Sequence, residues 1–517
     1  MTSGQETGDD GSPAAEPGAP VRDPSLLDAI VPLVALALLI GGSLALFGLD
    51  ALDGPIQVAL ILCAMVAALV AMKNGRSFED VQRAAQGSVA SVTSAIFILL
   101  AVGALIGVWN LSGTIPTLVY YGIQLLSPGW YYGAAAVICG VVALSIGSSW
   151  TTAGTIGVGL VGIAAALDVS PAITAGAVVS GAYLGDKLSP LSETTVLTSQ
   201  LVGVDTYEHI KRQAWTSVPA FVLAVVGFTI LGVVKGTDAH VVPETIELRA
   251  LGDVYHITPL NLLPLVLLAV LSIRKVPATF ALTAATLFAG LCGAILQPDV
   301  VQGFAGGGGG PVVQSVKGVW QAMATGFQME SGVDEVDRLV SRGGMAGMLP
   351  TVWLIIGAVT FGTLLAEFGM IARLVDPLIR AARTTGRLFA TVFACAFGLN
   401  VVAGDQYIAL ILPAKVFRAE FARRDLAPTN LSRLAADSGT VTSPLVPWNS
   451  CGAFMGAVLG VSALQYLPYA LFNIASPALS VVYGFTGFRI EHLSTPATPP
   501  DAPAPTIAEQ APAKEST

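Results

Sequence analysis

Gly181-Ala-Tyr-Leu-Gly-Asp-Lys-Leu-Ser-Pro-Leu-Ser-Glu-Thr-Thr195 lies inside a long apolar segment, yet it carries Asp186, Lys187, Glu193 and a row of hydroxyls. Pro190 removes a backbone donor and clashes with the preceding turn, so a helix running into it breaks or kinks. In lipid, freed backbone groups and charges are tolerated only against protein or a water-filled cavity. A mid-span break lined by carboxylate and hydroxyl oxygens is what a small-cation site requires. The plainer alternative is an ordinary kink at which Asp186 and Lys187 neutralise each other.

The surroundings set the class. Of 517 residues, 54% are hydrophobic and 11% charged, and the mean hydropathy is +0.72. Apolar runs of about 17–25 residues recur along the chain, which predicts an all-α polytopic membrane protein with about 12–14 transmembrane segments. The net charge of −9 says little about partners, because much of the acid sits in the tails and loops. No basic patch interleaved with aromatics points to nucleic acid. Cys63, Cys139, Cys292, Cys395 and Cys451 lie in apolar runs without CxxC spacing and read as small core residues. His209, His240, His256 and His492 fall near span ends or in loops, so a metal centre is not expected.

The chain divides into a disordered tail at 1–25, two leading helices at 26–88, a repeat at 89–235, linking spans with a glycine-rich loop at 236–346, a second repeat at 347–490 and a disordered tail at 491–517. The N-terminus lacks the basic region of a cleavable signal, so the first apolar run is expected to stay as a span. Spans are expected near 27–48, 55–72 and 89–109, then at 131–147 and 152–167. The last two are joined by an uncharged turn and fit either two full spans or a hairpin that dips in and returns. Later spans are expected near 214–233, 256–273, 276–296, 347–366, 388–402, 403–415 and 464–486. Gly306 to Gly310 sit in a loop of about fifty residues; no Lys-Ser/Thr follows, so a flexible linker is expected rather than a phosphate cradle. Lys73, Arg76, Arg83, Lys211, Arg212, Arg274, Lys275, Arg383, Arg387, Lys415 and Arg418 mark cytoplasmic loops and put both termini in the cytoplasm.

The two repeats match each other in places. Gly113 pairs with Gly369, Ser189-Pro190-Leu191 with Ser443-Pro444-Leu445, and the turn around Gly154 with Ala403-Gly404-Asp405. The basic loops make the first repeat start from the cytoplasm and the second from outside. That predicts two inverted repeats whose broken helices meet at the bilayer midplane. The second break is Asp437-Ser-Gly-Thr-Val-Thr-Ser-Pro-Leu-Val-Pro-Trp-Asn-Ser450, where Pro444 and Pro447 preclude a continuous helix. Asp437, Thr440, Thr442, Ser443 and Asn449 there, with Asp186, Ser189, Ser192 and Thr194 of the first break, offer hard oxygen ligands suited to Na⁺ or Li⁺. Asp405 joins them as a further candidate. Glu367 and Asp168 read as interfacial or solvated. Lys187, taken as the one Lys or Arg in a broken helix, pairs either with a carboxylate of the other repeat or with Asp186. Gly181 and Gly185, with Gly452, Gly456 and Gly460, have small-xxx-small spacing for close packing.

Gly185-Asp-Lys-Leu-Ser-Pro-Leu-Ser-Glu-Thr-Thr195 and Asp437 to Asn449 resemble the signature segments of NhaC-type Na⁺/H⁺ antiporters, as does Trp109 to Gly122. The likeness runs from about residue 29 to 486. It implies a secondary active transporter of the cell membrane, not an enzyme, with small inorganic cations, protons and the lipid bilayer as its partners and no cofactor beyond the transported ions; a homodimer is compatible with it. Some members exchange malate or lactate, so an organic-acid exchanger is the rival reading, and Lys187 would then anchor the substrate carboxylate. Burial favours the neutral carboxyl and a bound cation favours the carboxylate. Na⁺ and H⁺ are therefore expected to compete at Asp186 and Asp437, taken as one site, with Lys187 and Glu193 as coupling or counter-charges. An intramembrane aspartyl protease would show Gly-x-Gly-Asp, but Tyr183 holds the first glycine position. A channel would ring a pore with polar residues, whereas here they form two local clusters.

Overall fold

The computed structural model describes residues 21–236, 251–329, 337 and 340–493. Most of the two tails and the 237–250 part of the middle region lie outside the described residues. Among the described residues eight helices are long and apolar enough to span a membrane, and a ninth span is formed if the bent pair Ser450–Leu459 and Ala463–Tyr469 is one unit. Shorter apolar helices cover Ser149–Ala165, Pro259–Ile273 and Leu471–Thr486. The protein is an all-α, multi-pass membrane protein.

The helix expected at 89–109 is instead Phe78–Leu111, 34 residues. At about 1.5 Å per residue it is about 51 Å long and overruns a hydrocarbon core of about 30 Å. Its first turns carry Glu79, Asp80 and Arg83, so hydropathy hides them, but a Ser77–Asp80 capping box starts the helix there. The presumed fifty-residue loop also contains two helices, Pro298–Ala305 and Pro311–Thr325, and Gly306 to Gly310 form the turn between them. Both are short, and neither is continuously apolar, so no span signal marked them.

One end of the molecule is basic. There Lys73 pairs with Asp28 at 2.6 Å, Arg76 lies over the Phe368 ring, and Arg424 donates to the Ala382 carbonyl. The backbone of Ala427 bonds Glu491, whose carboxylate pairs with Arg212. From this end rises a hairpin, Thr385–Val402 and Gln406–Arg423. The other hairpin, Tyr131–Ile146 and Ser149–Ala165, starts from the far end, where Gly129 packs against Gly232 and Tyr132 bonds the amide of Ser170. Two broken helices follow the same rule. Pro171–Leu188 runs in from the far end and continues as Glu193–Val202, whereas Pro428–Ala435 runs in from the basic end and resumes as Ser450–Leu459.

The caps repeat at a constant offset. The hairpin glycines Gly147 and Gly404, the first-turn prolines Pro171 and Pro428, the capping residues Ser192 and Asn449, and the terminal glycines Gly203 and Gly460 are each 257 positions apart (147 and 404, 171 and 428, 192 and 449, 203 and 460). This moves one expected match. A reversal between helices needs a left-handed residue, and Gly147 (φ 79°) and Gly404 (φ 63°) supply it. Gly154 lies inside a π-helical turn, so the partner of Asp405 is Ser148. Gly181 and Gly185 face the first hairpin so closely that a Cβ would lie 2.3 Å from the Ala136 carbonyl oxygen and 2.4 Å from that of Ala143. Gly456, by contrast, has nothing nearer than 3.7 Å.

Candidate functional site

Pro190 leaves the first broken helix with unpaired carbonyls at its last turn, and hydroxyls from across the break satisfy one of them. The Asp186 carbonyl accepts from Thr194 Oγ1 at 3.0 Å, from Thr195 Oγ1 at 2.8 Å and more loosely from Ser192 Oγ. Ser189 caps the helix and accepts from the Leu191 amide. These bonds brace the break, and it aims the Asp186 carboxylate at the tip of the first hairpin. There Oδ1 accepts from the Ser149 amide at 3.0 Å and Oδ2 from the Ser149 hydroxyl.

Asp186 lines a cavity of about 450 Å³. At about 30 Å³ per water this holds a monovalent cation with much of its hydration shell. Both hairpin tips reach it, through Ser148 to Thr151 from one and Asp405 to Tyr407 from the other, together with Ser192, Glu193, Thr194 and Ser450. Asp405 caps its own helix by accepting from the amides of Tyr407 (2.8 Å) and Ile408 (3.0 Å). The Tyr407 hydroxyl crosses to Glu193 Oε2 at 3.1 Å, tying the two halves at the cavity wall. Three carboxylates thus line the space, against one exposed ammonium, Lys275, among the described lining residues. On the far side Trp150 stacks on Phe454 with ring centroids 4.0 Å apart.

Asp437 is not on this cavity. Successive helix residues point about 100° apart, so Lys187 leaves the break in another direction from Asp186 and pairs with Asp437. Both side chains are fully buried. Asp437 Oδ1 also accepts from Gln213 Nε2 at 2.9 Å and Ser476 Oγ at 2.7 Å, while Oδ2 has no hydrogen-bond partner among the described residues. The carboxylate stands on a π-helical turn, Ala436–Thr440, a form that concentrates at functional positions. Of the alternatives left open for Lys187, the structure contains the pair with the other repeat. The expectation of one site holding Asp186 and Asp437 becomes two neighbouring clusters, and Asp405 shares the cavity with Asp186.

The remaining candidates brace the second break. Asn449 caps Ser450–Leu459 and bonds Asn400; Thr442 accepts from Asn400 at 2.9 Å; Ser443 donates to Gln406 Oε1 at 3.2 Å. Thr440 is buried and its hydroxyl is unpartnered among the described residues. Pro444 and Pro447 are buried in the break, Pro190 is exposed, and Asp168 and Glu367 are exposed. Lys187 is not the one cation of the broken helices. Arg433, buried in Pro428–Ala435, donates to the Arg489 carbonyl and lies over the Tyr483 ring. His209, expected at a span end, is wholly buried. Ser149, Gln213 and Ser476 were missed as well.

These two carboxylate clusters fall inside the stretch that the family model for the Na⁺/H⁺ antiporter family matches, at residues 28–214 and 181–488. The chain is 36% identical over 434 residues to the Na⁺/H⁺ antiporter NhaC of Alkalihalophilus pseudofirmus, covering 84% of this chain and 91% of that one. It belongs to the Na⁺/H⁺ antiporter family. Other relatives are similarly near. A malate-2H⁺/Na⁺-lactate antiporter of Bacillus subtilis is 34% identical (90% of this chain, 96% of that one). An arginine/ornithine antiporter, ArcD, of Halobacterium salinarum is 33% identical (95% and 97%). Membership therefore agrees with the resemblance carried by the two broken segments.

Proposed function

We propose that the chain exchanges Na⁺ or Li⁺ for H⁺ across the cytoplasmic membrane by alternating access, with the basic end and both termini in the cytoplasm. The reading rests on the cavity: carboxylates of both halves, Asp186 and Asp405, border one space, and the nearest buried ammonium is turned away and neutralised. Cation enters from the basic end and takes oxygens from Asp186, Asp405 and the hydroxyls of Ser192 and Thr194. Burial raises the cost of a bare carboxylate, so loss of the cation is balanced by proton uptake on the buried carboxylates. Asp437, braced beside Thr440, Thr442, Ser443 and Asn449, balances Lys187 and changes partner as the halves move. Antiparallel placement of the hairpins and breaks supports an inverted-repeat transporter, in which one half rocks against the other. No cofactor enters the cycle. NhaC relatives support the cargo assignment.

Everted vesicles containing the protein are expected to move protons on addition of Na⁺ or Li⁺ and to give no response to K⁺. Absence of a Na⁺ response with malate-driven movement in its place would overturn the assignment. The malate/lactate relative makes that second arm worth running, although an organic anion would face three carboxylates here and find its anchor, Lys187, already paired.

A further inference from the structure

The helix Thr206–Gly236 belongs to neither broken segment nor hairpin, yet His209, Gln213, Thr216 and Ser217 are all fully buried on it. Their spacing puts them on one face. That face meets the second broken helix in two hydrogen bonds: His209 Nδ1 with Ser432 Oγ at 3.0 Å, and Gln213 Nε2 with Asp437 Oδ1 at 2.9 Å. One turn separates His209 from Gln213. In the other direction, Glu208 and Arg212 pair at 2.7 Å at the basic-end surface, and Arg212 also pairs with Glu491. A polar seam thus leads from the surface to Asp437 without touching the cation cavity. His209 Nε2 and Asp437 Oδ2 are buried in it without hydrogen-bond partners among the described residues.

We propose that His209 transfers protons along this seam, so that H⁺ reaches Asp437 by a route separate from the cation's. The inference rests on the antiport reading and adds the proton's path. Imidazole suits the task because it takes a proton on one ring nitrogen and gives one up from the other. Its Nδ1 is oriented by the Ser432 hydroxyl, and the proton ends on a carboxylate oxygen of Asp437, which releases its hold on Lys187. No bond other than N–H and O–H is made or broken. The charged and titratable groups around His209 are Glu208 and Arg212 on its own helix, Glu491 at the surface, Arg433 and Asp437 on the second broken helix, Lys187 on the first, and Tyr483 behind Arg433.

Proteoliposomes allow the two routes to be separated, because Na⁺/Na⁺ exchange needs no proton and Na⁺/H⁺ exchange does. His209→Gln keeps a partner for Ser432 but cannot relay a proton. It is expected to retain Na⁺/Na⁺ exchange within about twofold and to lose Na⁺/H⁺ exchange by about tenfold or more, in the range of lost acid–base catalysis. The gap should widen as pH rises and protons become scarce. Ser432→Ala, which leaves the imidazole, should lose less. Equal loss of both exchanges in His209→Gln would make the residue structural, and wild-type Na⁺/H⁺ exchange at every pH would leave it without a role; either result overturns the proposal. A wild-type protein that exchanges Na⁺ for Na⁺ but never for H⁺ would instead overturn the antiport reading.

Discussion

Asp186 and Asp437 are both carboxylates at interrupted helices, yet the protein treats them in opposite ways. Among the described residues the Asp186 carboxylate is held by Ser149 alone, and it borders a space that water and ions can enter. Asp437 is sealed, with a lysine, an amide and a hydroxyl all converging on one oxygen. A carboxylate with few donors in an accessible cavity can change its occupant cheaply. One that neutralises a buried ammonium gives up its charge only at a cost, so proton uptake there is tied to a change of partner for Lys187. The adjacent residues Asp186 and Lys187 therefore serve two different electrostatic tasks, separated by about 100° of helix rotation.

The largest effect should come from splitting the sealed pair. Lys187→Met leaves Asp437 charged and without its paired ammonium, which costs about 3–5 kcal/mol in comparable buried pairs. The double variant Lys187→Met/Asp437→Leu should recover most of that in thermal unfolding, while remaining inactive in transport. A double variant no more stable than the single one would break the contrast, because it would show that the pair is not a closed electrostatic unit. Lys187→Gln, though less stable, should still be stabilised by Na⁺ or Li⁺, since ligands of the native state stabilise it and the cavity lies apart from the pair.

Next in size come the cavity carboxylates. Asp186→Asn should stay folded and lose Na⁺-driven proton movement, with apparent Na⁺ affinity down by more than tenfold, or about 1.4 kcal/mol. Asp405 sharpens the comparison because it has two jobs. Asn caps a helix about as well as Asp, whereas Ala loses about 1 kcal/mol of capping. Asp405→Asn should therefore weaken Na⁺ binding with little change in melting, and Asp405→Ala should do both. Equal melting of the two variants would remove the capping role.

The smallest effect is expected at the cavity wall. Tyr407→Phe removes one hydrogen bond to an exposed carboxylate, worth about 1 kcal/mol or less. It should alter transport rate by no more than a few-fold and leave cation selectivity unchanged. Glu193→Gln should behave alike in flux assays.

Much of this was legible in the chain. Pro190, Pro444 and Pro447 in apolar surroundings located both interruptions, because proline's geometric demand does not depend on tertiary context. The division of labour was not legible. Which face of a helix Asp186 or Lys187 takes depends on helix phase relative to neighbours, and two candidate carboxylates looked interchangeable. The expected match of Gly154 with Gly404 fails because the hairpin turn needs a left-handed residue, and that is Gly147. His209, Gln213, Thr216 and Ser217 did carry a signal, a polar stripe with helical spacing, but it lies in the charged first turns of Thr206–Gly236 beside Glu208, Lys211 and Arg212, where polar residues read as ordinary span-end chemistry. Ser476 sits between Asn473 and Ser480 on one buried face of the final helix, a second polar stripe at helical spacing that carried the same signal.

The contact between the first broken helix and the first hairpin sets a limit on how this protein can vary. At Gly181 and Gly185 the space left is smaller than one methyl group, with main-chain atoms on the other side that have no rotamer to change. Gly41, Gly42 and Gly87, with nothing within 4 Å, would accept alanine freely. Drift in sequence can therefore proceed along the outer helices while the strip behind Asp186 admits no side chain, and a change of ion preference would have to be sought in the hydroxyls and carboxylates of the cavity rather than by resizing the wall that carries them.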